Sequence, residues 1–116
     1  MIAESPVTRD PQLLKGVLPM LILALLAHEE SYGYELVTRL EDGGLHGIAP
    51  GTVYPVLTRL EREGRLSSRL VPSDAGPARK YYRPTGAGLA FLTGAHHAWQ
   101  SFADVVHAVL TSKEFS

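Results

Sequence analysis

The sequence contains no cysteine. A disulfide framework and a thiolate metal site are therefore excluded, and the chain suits a cytoplasmic setting. Long hydrophobic runs are also scarce. The longest, residues 17–27, is too short to cross a bilayer, so it reads as a buried helix and no membrane partner is expected. The first ten residues have no basic segment followed by an apolar run, so no secretory signal is expected there. A P-loop, a Gly-rich dinucleotide fingerprint and a nucleophile–base pair are all missing. An enzyme is not expected, nor is a cofactor or a resident metal. With 116 residues the chain is one domain with a modest core, a size at which oligomerisation often adds stability.

Net charge is nearly absent too, at −1, but its distribution is uneven. Residues 59–83 hold seven basic and three acidic residues, a net of +4. The rest holds four basic and nine acidic residues, a net of −5. A basic segment on an acidic body is the footprint of a nucleic-acid module.

That segment begins inside the stretch around which the chain is organised, residues 49–64. Pro50 suits the first turn of a helix, where its missing N–H has no partner to lose, and Gly64 suits the left-handed stop. Val53, Val56, Leu57 and Leu60 recur at helical spacing and make a buried face. The opposite face carries Gly51, Pro55, Thr58 and Arg62, with Tyr54 and Arg59 on its flanks. No carboxylate stands at its centre, so it can approach a polyanion. Pro55 breaks the helix rule at a cost of ~3 kcal/mol. Two readings stay open: a rigid ring offered to a partner such as a thymine methyl, or a kink that sets the helix direction.

Before this stretch, Asp10-Pro11 is a cap and first-turn proline for a helix over 11–27 that is apolar on nearly every side. Pro19 either kinks it or marks where its regular part starts. Ser31 reads as the cap of a second helix over 32–41, stopped by Gly43-Gly44. A short connection to a third helix completes helix-turn-helix grammar. After Gly64 the pattern turns to period two, predicting a two-stranded hairpin over 66–71 and 78–83, with Arg79 and Lys80 just past its tip. Thr85 caps a last helix over 86–112, about 40 Å long. Leu92, Ala95, Trp99, Phe102, Val106 and Val109 alternate spacings of three and four along it, a seam that implies the same helix of a second copy.

These residues resemble the PadR family of bacterial transcriptional regulators. The likeness is carried by Leu14-Lys15-Gly16 leading into residues 21–26, by Tyr32-Gly33-Tyr34-Glu35-Leu36, and by Pro50-Gly51-Thr52-Val53-Tyr54-Pro55 with Arg59-Leu60-Glu61. It continues through Gly76-Pro77-Ala78-Arg79-Lys80-Tyr81-Tyr82-Arg83. The resemblance implies a mainly α (α+β) fold: a winged helix-turn-helix domain over 11–84 and a single dimerisation helix over 85–112, with flexible termini at 1–10 and 113–116. It implies a homodimeric repressor of double-stranded DNA with a pseudo-palindromic operator. DNA contacts are then expected from Tyr32, Tyr34, Gly51, Thr52, Tyr54, Pro55, Thr58, Arg59, Arg62, Arg79 and Lys80. Ala49 departs from the family, which usually has a Ser or Asn cap there; Pro19 and Pro84 depart as well. In short PadR-like regulators aromatic side chains of the paired last helices line a pocket for flat hydrophobic compounds. Trp99 and Phe102 would bind such an effector here, or would only pack the interface. Two rival functions remain: a winged-helix metal sensor using His96, His97, Asp104 and His107, of which His96 and His107 share a face, and a winged helix for protein–protein contact.

Overall fold

The computed structural model describes residues 10–112, in the order α1 (Pro11–His28), β1 (Ser31–Tyr32), α2 (Gly33–Asp42), α3 (Pro50–Arg62), β2 (Leu66–Ser73), β3 (Gly76–Pro84) and α4 (Gly86–Leu110). The termini expected to be flexible lie outside the described residues, apart from Asp10. The Asp10 carboxylate accepts from the N–H groups of Gln12 (3.0 Å) and Leu13 (3.4 Å), which fixes the start of α1. α1 then runs unbroken through Pro19. By length and composition alone its 18 residues, of mean hydropathy 1.5, could cross a bilayer, but it packs as the buried helix that the apolar run 17–27 implied. Here it forms the centre of the core: Leu18, Ile22, Leu23 and Leu26 are fully buried against Leu36, Val53, Leu57 and Leu60.

The structure corrects the reading of Ser31 as a helix cap. Ser31 and Tyr32 form a third strand, and α2 starts after Tyr32 without a side-chain cap. The sheet has the order β1-β3-β2 and is antiparallel throughout, so the expected two-stranded hairpin is a three-stranded sheet. The physical reason is Arg39. Its guanidinium donates to the Ser31 hydroxyl (2.6 Å) and to the carbonyls of Glu29 (2.8 Å) and Leu25 (2.7 Å). It thereby caps the end of α1, where the Leu25 carbonyl also accepts from Glu29 N–H (3.1 Å), and ties the Glu29 carbonyl to Ser31 in the extended segment that follows.

α3 spans the expected stretch. Its cap residue Ala49 makes no side-chain hydrogen bond. Its far end is closed by Gly64 at φ +78°, with Gly64 N–H donating to Glu61 O (3.0 Å) and Arg65 N–H to Leu60 O (2.8 Å). α4 follows β3 directly. Thr85 Oγ1 accepts from Gly88 N–H (3.0 Å) and donates to Gly64 O (2.6 Å), while Thr85 N–H donates to Arg65 O (3.1 Å). Gly88 is buried, and a Cβ there would stand 2.0 Å from Arg65 O. Only glycine lets the first turn of α4 press this closely on the turn after α3. Arg65 spreads over the Phe91 ring (3.8 Å) and strengthens the same joint. Beyond Ala95 every residue of the helix except Ala103 is exposed, and the molecule measures 60 × 35 × 20 Å.

Candidate nucleic-acid interface

α3 buries Val53, Leu57 and Leu60 completely, and this sets the rotation of the helix. Gly51, Thr52, Tyr54, Pro55, Thr58 and Arg62 are consequently exposed, and Arg59 is half-buried. Pro55 points outward, as its position opposite the buried stripe required. The Tyr54 ring lies on α2: a Cβ on Gly33 would be 2.0 Å from its Cε1. The absent side chain of Gly33 thus seats Tyr54 and locks α2 against α3. Tyr34, in the first turn of α2, is 62% exposed, more than any other tyrosine named here, and remains free to touch a partner.

The wing separates two residues that are neighbours in sequence. Successive strand residues face opposite sides of a sheet. On one side Arg79 lies over the Tyr32 ring (4.5 Å), Tyr32 meets Tyr81 edge-on (5.4 Å), and Arg69 sits near Tyr81 (5.8 Å). On the other, Lys80 lies near the ring of Tyr82, and its Nζ reaches Glu61 Oε1 on α3 at 2.9 Å. The sequence signal that could have shown this is strand alternation, which puts Lys80 on the face of buried Tyr82.

Several of the cations in 59–83 are already engaged. Arg69 pairs with Glu30, Lys80 with Glu61, Arg65 with Glu63 (3.3 Å), and Arg59 with Glu63 (3.9 Å). Among the described residues Arg62, Arg79 and Arg83 have no carboxylate within ion-pair distance. The Glu61 carboxyl is held below its usual range, first by the hydrogen bond from Ser68 and then by the one from Lys80. Glu30 is lowered chiefly by the hydrogen bond from Arg69. Lys80 and Arg69 are raised in turn, each mainly by its hydrogen bond to its carboxylate partner. Lys15 was missed at the sequence level. It lines, with Arg59, Thr52, Val56, Leu14 and Leu18, a groove of about 400 Å³ between α1 and α3.

The residues of the expected seam lie on α4. Leu92 and Ala95 are half-buried, whereas Trp99, Phe102, Val106 and Val109 are exposed. A second groove, about 460 Å³, runs between α1 and α4 along Leu13, Val17, Met20, Phe91, Ala95, Trp99 and Phe102. Leu13 and Met20 read only as part of an all-apolar helix and Phe91 was not singled out, because their partners lie on the other helix. His96 and His107 are exposed on α4, and among the described residues no three His, Asp or Glu side chains gather in a way that could hold a metal ion.

The sequence profile of the transcriptional regulator PadR-like family matches residues 22–94. A transcriptional regulator of Mycobacterium tuberculosis is 42% identical over 82 residues, which cover 71% of this chain and 75% of that protein. Among solved structures, a PadR-like transcriptional regulator of Bacillus cereus superposes with TM-score 0.77 at 38% identity, covering 88% of this chain and 99% of that one. A PadR family transcriptional regulator of Eggerthella lenta gives TM-score 0.81 at 38% identity, covering 88% of each chain.

Proposed function

Because the chain belongs to the PadR-like family of transcriptional regulators, and is therefore a regulator and not an enzyme, we propose that it acts as a cytoplasmic homodimeric repressor of transcription that binds a pseudo-palindromic operator in double-stranded DNA. The observation that carries this is the outer face of α3. Thr58 and Arg62 are exposed beside Gly51 and Pro55, with no carboxylate at the centre of that face. Each α3 enters a major groove, with Thr58 and Arg62 reaching base edges or adjacent phosphates. Tyr54 and Tyr34 fix the flanking backbone. Arg79, with no carboxylate of the described residues within ion-pair distance, meets a phosphate from the wing. Enrichment of duplexes from a random library, followed by gel shifts, tests this. Two half-sites about one helical turn apart are expected. Recovery of no duplex above background would falsify the DNA reading and favour a protein–protein role.

The second copy packs along the exposed stretch of α4, over Trp99, Phe102, Val106 and Val109. The groove between α1 and α4 supports an effector reading as well. Its volume lies in the range of small-molecule sites, and its lining is apolar and aromatic. A planar aromatic compound seated there is expected to quench Trp99 and to lower DNA affinity by the same coupling factor. Trp99→Ala removes the ligand response and leaves most DNA binding. If it destroys the dimer instead, Trp99 is a packing residue only.

A further inference from the structure

Glu61 stands in the last turn of α3, and its one carboxylate serves both long strands of the wing. Oε2 accepts from Ser68 Oγ on β2 at 2.5 Å, and Oε1 meets Lys80 Nζ on β3 at 2.9 Å. In the ladder Ser68 pairs with Tyr82 and Leu70 with Lys80. The two partners of Glu61 therefore sit on one face of the sheet, the face that buries Tyr82. A single tether would let the wing pivot about it; two tethers on different strands remove that freedom. The pair is only partly covered, with side-chain exposures of 48% for Lys80 and 31% for Glu61, so a polyanion beside it competes with the carboxylate for the ammonium.

We propose that Glu61 is a positioning residue for DNA recognition: it fixes the wing against the recognition helix through Ser68 and Lys80, and it withholds the Lys80 charge from phosphate. This rests on the DNA-binding reading above and deepens it, because it divides Arg79 and Lys80 into different roles. Arg79 contacts the backbone; Lys80 sets where Arg79 stands. Part of the specificity then resides in a carboxylate that touches no nucleotide, since discrimination depends on wing and helix meeting the duplex together.

The test compares a duplex enriched from a random library with a scrambled duplex of equal length, at 50–200 mM salt. Glu61→Gln frees Lys80. With two copies of Lys80 per dimer, the salt slope is expected to steepen by about 1.8 on both duplexes, roughly a twelvefold larger loss of affinity across that range, while preference for the enriched duplex falls. Lys80→Gln alone is expected to leave the slope unchanged, whereas Arg79→Gln, removing one contact from each wing, flattens it by about 1.8. The double variant Glu61→Gln/Lys80→Gln returns the slope to the wild-type value with preference still reduced. If Lys80→Gln flattens the slope as Arg79→Gln does, the withheld charge is wrong and the proposal falls. Should Glu61→Gln fail to fold, Ser68→Ala removes one tether and keeps the ion pair. Lower preference at unchanged slope then supports positioning, and unchanged preference overturns it. Wild-type protein that binds no duplex overturns the DNA reading and this inference together. Wild-type binding with slope and preference unaltered in Glu61→Gln overturns this inference alone.

Discussion

Two of the four helices, α1 and α4, are apolar over most of their length, yet α1 buries Leu14, Leu18, Ile22, Leu23 and Leu26, while α4 buries only Gly88. The side chains of α1 find α2, α3 and the sheet around them. Those of α4 beyond Ala95 find solvent. Covering one such side chain stabilises by about 1.5–3 kcal/mol, so α4 leaves several increments unused within one chain. The lesson is that apolar spacing in a sequence states that a surface must be covered. Whether the cover is internal or a second copy depends on where the helix is attached.

The largest effects that would break this contrast come from burying a charge. Ile22→Asp places an unpaired carboxylate at a fully buried position of α1 and is expected to abolish cooperative folding, read by circular dichroism and a thermal melt. Val106→Asp, on the exposed stretch of α4, is expected to yield monomer in sedimentation. A Val106→Asp protein that remains a dimer would move the seam elsewhere. Next in size is a pair of glycines on α4 itself. Gly88→Ala drives a Cβ into Arg65 O and is expected to cost about 1–3 kcal/mol in urea unfolding. Gly94→Ala meets nothing within 4 Å and is expected to stabilise by up to ~1 kcal/mol through helix propensity. Equal effects at the two positions would mean that the base of α4 is not pressed on the turn after α3.

The smallest effect concerns pH. Glu30 and Glu61 are held below 4.5 in the folded state, by Arg69 and by Ser68 with Lys80. A carboxyl lowered on folding adds stability that is present above its unfolded value and lost as pH falls through the folded one. Stability should therefore decline from about pH 4.5 downward. Glu61→Gln is expected to flatten part of that limb in urea melts; an unchanged acid limb would show that this ion pair contributes nothing measurable.

The helices were legible because their signals are local. Asp10-Pro11, Pro50 and Gly64 mark ends, and the spacing of Val53, Leu57 and Leu60 assigns the buried face. That assignment also made the outer face of α3 legible. Ser31 was misread because a two-residue strand has no periodicity, and its partners, Arg39 and the β3 residue Tyr82, lie 8 and 51 positions away. Gly33 and Gly88 were not recognised because an absent side chain matters only beside what it lets approach, here Tyr54 and Arg65. The ion pairs of the basic segment were not legible for a similar reason. A count of charges along the chain does not reveal that Glu30 and Glu61 reach across to Arg69 and Lys80.

Thr85 joins two helices mechanically. Its hydroxyl and N–H bind the carbonyls of Gly64 and Arg65, and the same hydroxyl starts α4 by accepting from Gly88. The end of α3 and the base of α4 are thus welded at one residue, with no slack loop between them. α4 is a lever about 37 Å long fixed at that weld. Any tilt forced on its far end by a second copy, or by a compound wedged along it, is delivered as torque at Gly64, where α3 stops.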